Sequence, residues 1–255
     1  MSQPGVVTAN LVFEHHFARS LSGVTHGVNS PLSATVTDTS GNGNNGALNG
    51  FAGTTSSGYT GTGVLGDPYC IVGDGDSYVA LADLGISEDK VFAYEAWFRT
   101  TSVAIGHMVR GYGVTSLATL RVNSSGLIAG QLTDDAATNV QFNGASVVDG
   151  LWHHAVMSCD GTDMTVYLDG VAGAATAMPG GTFTQTATRL MNNASGLIGS
   201  IAVARAYSGA LSAAQVAQNY AAGYLWPQTW LPGSSSVPAT RHVLKVGSLD
   251  VPVVI

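Results

Sequence analysis

The sequence contains 255 residues, of which only 10% are charged, compared with about 25% in typical domains. Its 9 Lys and Arg against 16 Asp and Glu give a formal net charge of −7 without any run of basic residues, which argues against nucleic acid as a partner. No uninterrupted apolar stretch approaches the roughly 18 residues that predict a membrane-spanning helix, so no membrane partner is expected.

The N-terminal residues MSQPGVVTANLVF lack the basic segment and apolar stretch of a secretion signal, so we expect a chain made in the cytoplasm. Cys70 and Cys159 lack the CxxC spacing of zinc or redox sites. In that compartment we expect two buried free thiols, with a disulfide as the alternative.

Short runs of alternating apolar residues recur along the chain, each bounded by Gly, Asn, Asp or Ser. These runs are LVFEHHF, SYVALAD, FAYEAWFRT, HMVRGY, ATLRVNS, LIAGQLT, NVQFNG, RLMNN and IGSIAVARAY. At a spacing of roughly 8–12 residues they predict about ten to fourteen short strands. Such a pattern is typical of an antiparallel sandwich of two sheets.

The segment DGLWHHAVMSCDGTDMTVYLDGV, residues 149–171, places two adjacent histidines among several aspartates. Strand alternation sends His153 and His154 to opposite faces, so the pair cannot bind one ion. The DGTD tetrapeptide predicts a turn between two strands. We therefore interpret the segment as a β-hairpin rather than a metal or acid/base site.

One helix is predicted, in ALSAAQVAQNYAAGY at residues 210–224. Ser212 is a candidate N-cap, Val216 and Tyr220 lie one turn apart, and Gly223 can end the helix.

The last thirty residues differ in composition from the rest. Residues 1–225 form the predicted main domain, 226–241 a linker rich in Pro and Ser, and 242–255 a hairpin around Gly247 and Ser248. An isolated hairpin is marginally stable in water, so we expect this tail to dock on another copy, on a neighbouring subunit or on its own domain. The candidate assembly residues are Trp226, Trp230, Val243, Leu244, Val251 and Val253.

A glycoside hydrolase on a β-sandwich needs paired carboxylates that face one groove. The chain has three glutamates, Glu14, Glu88 and Glu95, and the same-face neighbours of Glu95 are Trp97 and Arg99 rather than acids. No nucleophile elbow, phosphate-binding loop or zinc-protease motif occurs. We therefore expect no catalytic residues and no enzyme activity.

Five motifs in order resemble the laminin-G-like, concanavalin-A-like jelly rolls of bacterial and phage proteins, over about residues 10–223. They are LVFEHHF, with His15 where a tryptophan is common; DTSGNGNNGALNG with the following GDGDSYVAL; YEAWFRT; the hairpin; and IGSIAVARAYSGALSAAQV. The resemblance implies an all-β, two-sheet antiparallel jelly-roll sandwich with one short C-terminal helix and an extended C-terminal tail. The same fold hosts lectins, adhesion modules, hydrolases and structural domains.

The resemblance also raises calcium as a candidate cofactor, in the loop of residues 38–50. Asp38, Ser40 and Asn42 alternate before Gly43, as in oxygen-rich cation loops. Ala202 and Val203 stand where relatives often carry an acidic pair. A turn held by Asx and Gly chemistry is the simpler interpretation, and no other cofactor is expected.

Binding or architecture remains as the function. The candidate glycan-binding residues, assigned to loops, are Tyr59, Tyr112, Asn123, Asn143, Asn192 and Asn193; ordinary loop residues are the alternative for each. We hypothesise a non-catalytic bacteriophage virion protein, tail-associated or capsid-decorating, made in the host cytoplasm and anchored by its tail. Its partners would be other virion subunits, further copies of itself and host-surface glycans. The alternative is a free carbohydrate-binding or cell-adhesion module of a bacterial protein.

Overall fold

A computed structural model gives the fold of residues 2, 5–18, 35–86, 89–192 and 194–224, and the backbone of 241–246 and 249–254. The chain divides into two compact units, residues 1–225 and 226–255.

Short strands dominate the first unit. In chain order they are β1 (Leu11–His16), β2 (Thr35–Val36), β3 (Gly46–Asn49), β4 (Gly58–Thr60), β5 (Cys70–Asp74), β6 (Tyr78–Leu81), β7 (Val91–Arg99), β8 (Gly106–Tyr112), β9 (Leu117–Val122), β10 (Leu127–Thr133), β11 (Asn139–Ser146), β12 (His153–Asp160), β13 (Asp163–Leu168), β14 (Val171–Ala172), β15 (Thr176–Ala177), β16 (Ala187–Leu190) and β17 (Ile198–Tyr207). The predicted ten to fourteen strands are exceeded because two-residue strands such as β2, β14 and β15 are too short to show alternation.

Two antiparallel sheets form a sandwich, which confirms the predicted fold class. The first sheet, here the helix-side sheet, has the order β14-β13-β12-β7-β17-β5-β4, with β1 also paired to β17 and β15 to β13. The second, here the open sheet, has the order β11-β10-β9-β8-β16-β6-β3-β2. The main hydrophobic core joins both sheets, with Phe98 and Met157 from one and Leu120 and Val79 from the other fully buried.

The predicted hairpin at residues 149–171 is confirmed by the pairing of β12 with β13, which runs from Ala155 opposite Leu168 to Cys159 opposite Met164. Gly161 has a φ of 95° in the turn, a conformation that glycine adopts without a steric penalty. Cys70 and Cys159 are both buried free thiols, as expected.

The predicted helix is α1, Ala213–Ala222. Ser212 is its N-cap, a capping box with Gln215 closes the first turn, and Gly223 is the C-cap, as the sequence indicated. Leu211 and Val216 pack on the helix-side sheet against Val156 and Tyr207. The helix therefore covers the outer face of that sheet. No helix in the described part of the chain has the length and apolarity needed to cross a membrane.

In the second unit, β18 (Arg241–Val246) pairs antiparallel with β19 (Leu249–Val254), the hairpin that the sequence predicts. Trp226 and Trp230 lie outside the described residues, and so do the side chains of the other candidate assembly residues, Val243, Leu244, Val251 and Val253.

Candidate functional site

A fully buried network of charged groups lies between the helix-side sheet and α1. Arg205 Nε donates to Glu14 Oε2 at 2.8 Å, and Arg205 Nη1 donates to Glu95 Oε1. His154 Nε2 lies 3.1 Å from the same Glu95 oxygen, and Asn219 Nδ2 from α1 donates to Glu95 Oε2 at 2.7 Å. All five side chains are 0% exposed, so no substrate reaches these groups.

The electrostatics of the network favour the charged forms of Glu95 and Arg205. Burial alone would raise the pKa of Glu95, but the charge of Arg205 and the bonds from His154 and Asn219 outweigh it and lower the pKa to about 2. Burial would likewise lower the pKa of Arg205, and the two glutamates raise it instead. Sequence reasoning missed this convergence of two carboxylates, because β1, β7 and β17 become neighbours only in the folded sheet.

His153 and His154 point to opposite faces, as alternation predicts. His153 Nδ1 lies 2.8 Å from Asp169 Oδ2 and its Nε2 lies 3.1 Å from Asp149 Oδ1. Burial would lower the pKa of His153, but the hydrogen bonds to Asp169 and Asp149 prevail and raise it. These contacts join the segment before β12 to the segment after β13, so His153 stabilises the hairpin.

The Asp38 loop is built as a turn. The Asp38 carboxylate accepts hydrogen bonds from the backbone N–H groups of Glu14, Ser40 and Asn44 and from the Ser40 hydroxyl. The amide nitrogen of Asn42 donates to the backbone of β1. The protein's own donors thus occupy the carboxylate that a cation would need. Among the residues that the structure describes, no group of three or more His, Cys, Asp or Glu side chains is placed to hold a metal ion.

The outer face of the open sheet carries the polar surface of the sandwich. The side chains that alternate there with core residues are His107, Arg110, Tyr112, Thr119, Arg121, Gln131, Gln141, Asn143, Arg189 and Tyr78; we name this surface the arginine face. Its strands contain no aspartate or glutamate.

One straight row crosses five strands of the arginine face. In register order it contains Arg189, Arg110, Thr119, Gln131 and Gln141. At the ordinary spacing of strands this row spans about 19 Å, the scale of an oligosaccharide. It offers guanidinium and amide groups, which bind sugar hydroxyls and carboxylates, whereas Thr119 is fully buried and is bonded to His107 and to the Val109 carbonyl.

Arg189 is held between two aromatic rings. Its guanidinium carbon lies 4.4 Å from the ring centroid of Tyr78 and 5.1 Å from that of Tyr112, which is cation–π geometry. Asn192 Oδ1 accepts a hydrogen bond from Arg189 Nη1 at 3.4 Å.

A second polar group lies at the other end of the face. Arg121 Nη2 donates to Gln141 Oε1 at 2.6 Å, and Gln141 Nε2 donates to Asn143 Oδ1 at 2.5 Å. Asn123 Nδ2 reaches the same Asn143 oxygen at 2.9 Å. The small side chain of Ala129, directly opposite Arg121, leaves room for the arginine to extend across the sheet.

Arg110 lies between these two groups and directly opposite Arg189. Burial and the neighbouring charge of Arg189 lower its pKa, and burial and the charge of Arg110 lower the pKa of Arg121. His107, 2.8 Å from Thr119 through Nδ1, has its pKa lowered to about 3 by burial and by both arginines, so it adds no positive charge at neutral pH.

The structure brings several predicted glycan-binding residues to this face, two of them on strands and two in the loops that follow strands. Tyr112 ends β8 and Asn143 lies within β11, whereas Asn123 follows β9 and Asn192 follows β16, where it is buried. Tyr59 was expected in a loop but lies in β4, 4% exposed, with its ring 6.2 Å from Phe17. Asn193 lies outside the described residues.

The arginines of the face were not singled out from the sequence. The available signal was a single arginine within each of three predicted strands that contain no acidic residue. These strands are HMVRGY, ATLRVNS and RLMNN. That signal could have placed each arginine on a strand face but not all of them on one sheet.

An open groove of about 590 Å³ lies at another place, where β7 ends and β17 begins. Arg99, Thr100, Thr101 and Asp74 help to line it. The Arg99 guanidinium is stacked over Trp152 at 5.1 Å, and the Asp74 carboxylate accepts hydrogen bonds from the backbone N–H and the hydroxyl of Ser77. These groups are occupied by each other and by their own loops, so we assign no ligand to the groove.

Comparisons with known proteins concern the sandwich. The model of the concanavalin A-like lectin/glucanases superfamily, a laminin G family, matches residues 73–217, more than half of the chain. No curated protein matches the sequence.

Among solved structures, domain 4 of AbnA, a GH43 extracellular arabinanase from Geobacillus stearothermophilus solved with arabinotriose, superposes with a TM-score of 0.60 at 20% identity, over 82% of this chain and 97% of that domain. The binding domain of Paraclostridial Mosquitocidal Protein 1 has a TM-score of 0.60 at 15% identity, over 83% of this chain and 52% of that one. The botulinum neurotoxin serotype G binding domain has a TM-score of 0.59 at 12% identity, over 83% and 50%. This chain thus spans about half the length of the two toxin domains, and at these identities the likeness establishes the fold alone.

Proposed function

We propose that this chain, which belongs to the concanavalin A-like lectin/glucanase superfamily, is a non-catalytic glycan-binding protein of a bacteriophage virion. The jelly roll faces outward and binds host-surface glycans through the arginine face. The C-terminal tail anchors the protein to other virion subunits, on the tail or on the capsid.

The row of polar side chains on the arginine face carries the glycan-binding part of the proposal. Arg110 offers hydrogen-bond donors, Gln141 three strands away offers a donor and an acceptor group, and Tyr112 offers an aromatic ring. α1 packs on the other sheet, whereas no helix of the described residues packs on the arginine face. The arabinanase domain, whose structure contains arabinotriose, is an example of this fold in a glycan-binding role.

The absence of catalysis is supported by the position of the acids. Glycosidases place two carboxylates in a groove that the sugar enters. Glu14 and Glu95 converge, but both are fully buried and bonded to Arg205. The strands of the arginine face supply no carboxylate.

The virion part of the proposal is supported by the second unit. The β18–β19 hairpin has only two strands, and exposed strand edges favour pairing with another chain. An added hairpin of this kind fits a subunit that is fixed in an assembly.

Binding of the full chain to an array of neutral and acidic glycans tests the proposed function. We expect at least one class to bind with sub-millimolar affinity. Gln141→Ala should weaken that binding about tenfold, because it removes hydrogen bonds at the ligand surface. Gln218→Ala is the matched control, because it removes an exposed glutamine from α1 on the opposite side of the sandwich. Full binding by Gln141→Ala, or binding to no glycan, would contradict the proposal.

The second candidate function is a free carbohydrate-binding or cell-adhesion module of a bacterial protein. It is favoured by the likeness to the arabinanase domain, which covers 97% of that domain. Imaging of the parent particle separates the two candidates, since only the first predicts the protein on a virion.

A further inference from the structure

We propose that the arginine face selects glycans whose sugars carry carboxylate groups, and that Arg110 is the centre of the anion-binding subsite. This inference rests on the proposed function, because it names the class of glycan that the same face binds.

The distribution of charge is the first observation. The protein has a net charge of −7 and only 9 Lys and Arg, yet three of these nine, Arg110, Arg121 and Arg189, share one sheet face. The strands of that sheet contain no acid, whereas the helix-side sheet contains Glu14 and Glu95, which neutralise Arg205. A local cluster of one sign on a protein of the other sign attracts ligands of complementary charge.

The second observation concerns the local environment of Arg110 and Arg121. Arg110 and Arg189 are directly opposite each other on neighbouring antiparallel strands, and like charges in that position destabilise a sheet. The Nε atoms of Arg110 and Arg121 are buried, and among the described residues neither has a hydrogen-bond partner. No ion pair of the described residues includes Arg110 or Arg121.

A carboxylate bound at Arg110 would supply the negative charge that pairs with its guanidinium. It accepts two parallel hydrogen bonds from a guanidinium, which is the strong, planar form of this contact. It would also screen the repulsion between Arg110 and Arg189. The lowered pKa values of Arg110 and Arg121 follow from the same burial and repulsion.

The groups around the cations favour a sugar over another polyanion. Beyond the buried Thr119, the side chains of Gln131 and Gln141 continue the row from Arg110 with neutral amide groups, which match hydroxyls rather than a repeated phosphate. Nucleic-acid binding requires many phosphate contacts with lysine and arginine, whereas this face supplies three arginines and no lysine.

Titration of the full chain with oligogalacturonate and with the same oligomer after reduction of its carboxyl groups tests the inference. We expect the acidic oligomer to bind at least about tenfold more tightly, and Arg110→Gln to lose about 10-fold to 100-fold in affinity for it. Arg99→Gln removes the same charge away from the face and should stay within about twofold of the parent.

The outcomes separate the inference from the proposed function. Equal binding of acidic and reduced oligomers, with Gln141→Ala still impaired, overturns the carboxylate inference and leaves glycan binding intact. Binding of neither oligomer, nor of any glycan on the array, overturns both. Single-stranded DNA or inorganic polyphosphate bound as tightly as oligogalacturonate overturns the inference, because the face would then be a general polyanion surface.

Thermal unfolding gives a second readout that does not depend on the chosen sugar. Arg110→Gln should raise the melting temperature by a few degrees, because it removes the repulsion with Arg189. At one ligand concentration, oligogalacturonate should raise the melting temperature of the parent more than that of Arg110→Gln. A variant that melts lower than the parent, or that is stabilised equally by the ligand, would overturn the role of Arg110.

Discussion

Arg205 illustrates how this protein accommodates a buried charge. Its guanidinium bridges Glu14 and Glu95 beneath α1, and Tyr207 and Asn219 satisfy the second oxygen of Glu95. The guanidinium thus contacts two buried carboxylates, and neutral groups complete the hydrogen bonds of Glu95. Because both carboxylates are fully buried, Glu14 and Glu95 stabilise the packing of the strands and α1 rather than face a ligand.

Replacing the guanidinium of Arg205 should lower the free energy of unfolding strongly. We expect Arg205→Met to lower the free energy of unfolding by about 3–5 kcal/mol, because two buried carboxylates lose their counter-charge. Urea unfolding followed by tryptophan fluorescence measures the change. Adding Glu95→Gln to that variant should restore part of the loss, since one uncompensated charge is removed. A loss below about 1 kcal/mol in Arg205→Met would contradict the role assigned to this residue.

At the scale of an element, the β12–β13 hairpin shows that local rules act together. Alternation, the Gly161 turn and the register from Ala155 to Cys159 agree with one another. His153 adds a contact beyond the strands, because it joins Asp149 before β12 to Asp169 after β13.

The stability contributed by His153 should depend on pH. Its pKa is raised in the folded protein, so its contribution is complete below the unfolded value of about 6.5 and is lost as the pH rises through the folded pKa. We expect His153→Gln to lower the free energy of unfolding by up to about 1 kcal/mol at roughly pH 5.5. Asp149 is ionised at that pH, because its pKa is lowered mainly by the hydrogen bond from the Leu151 N–H. At about pH 9 the two proteins should unfold nearly alike. Thermal melts at both pH values measure this, and an equal difference at both would contradict the bridge.

At the scale of the whole molecule, the two sheets have different surroundings. The helix-side sheet is covered by α1, where Tyr220 stacks on Trp97 at 5.6 Å. The open sheet keeps a polar outer face. This asymmetry leaves one outer sheet face packed under a helix and the other for the proposed ligand, and residues 226–255 form a second compact unit.

Removal of residues 226–255 should separate assembly from binding. We expect the truncated protein to remain folded and to bind the same glycans as the full chain, because the arginine face lies in the first unit. It should lose self-association, measured by light scattering, and incorporation into particles. An unchanged oligomeric state together with unchanged incorporation would contradict an anchoring role for the tail.

The sequence by itself determined the local structure of this protein. Period-two alternation, Asp-Gly turns and the Ser212 to Gly223 boundaries of α1 act over a few residues, so the hairpins, the helix and the sandwich class could be predicted. The separation of His153 from His154 followed from the same rule.

Only the tertiary structure decided which distant residues meet. Arg205 is 191 positions from Glu14 and 110 from Glu95, and the pairing of β1 and β7 with β17 brings them together. Likewise, the pairing of β8 with β16 places Arg110 opposite Arg189. Strand alternation assigns a side chain to a face, but the order of strands in a sheet depends on long-range packing, which no local pattern contains.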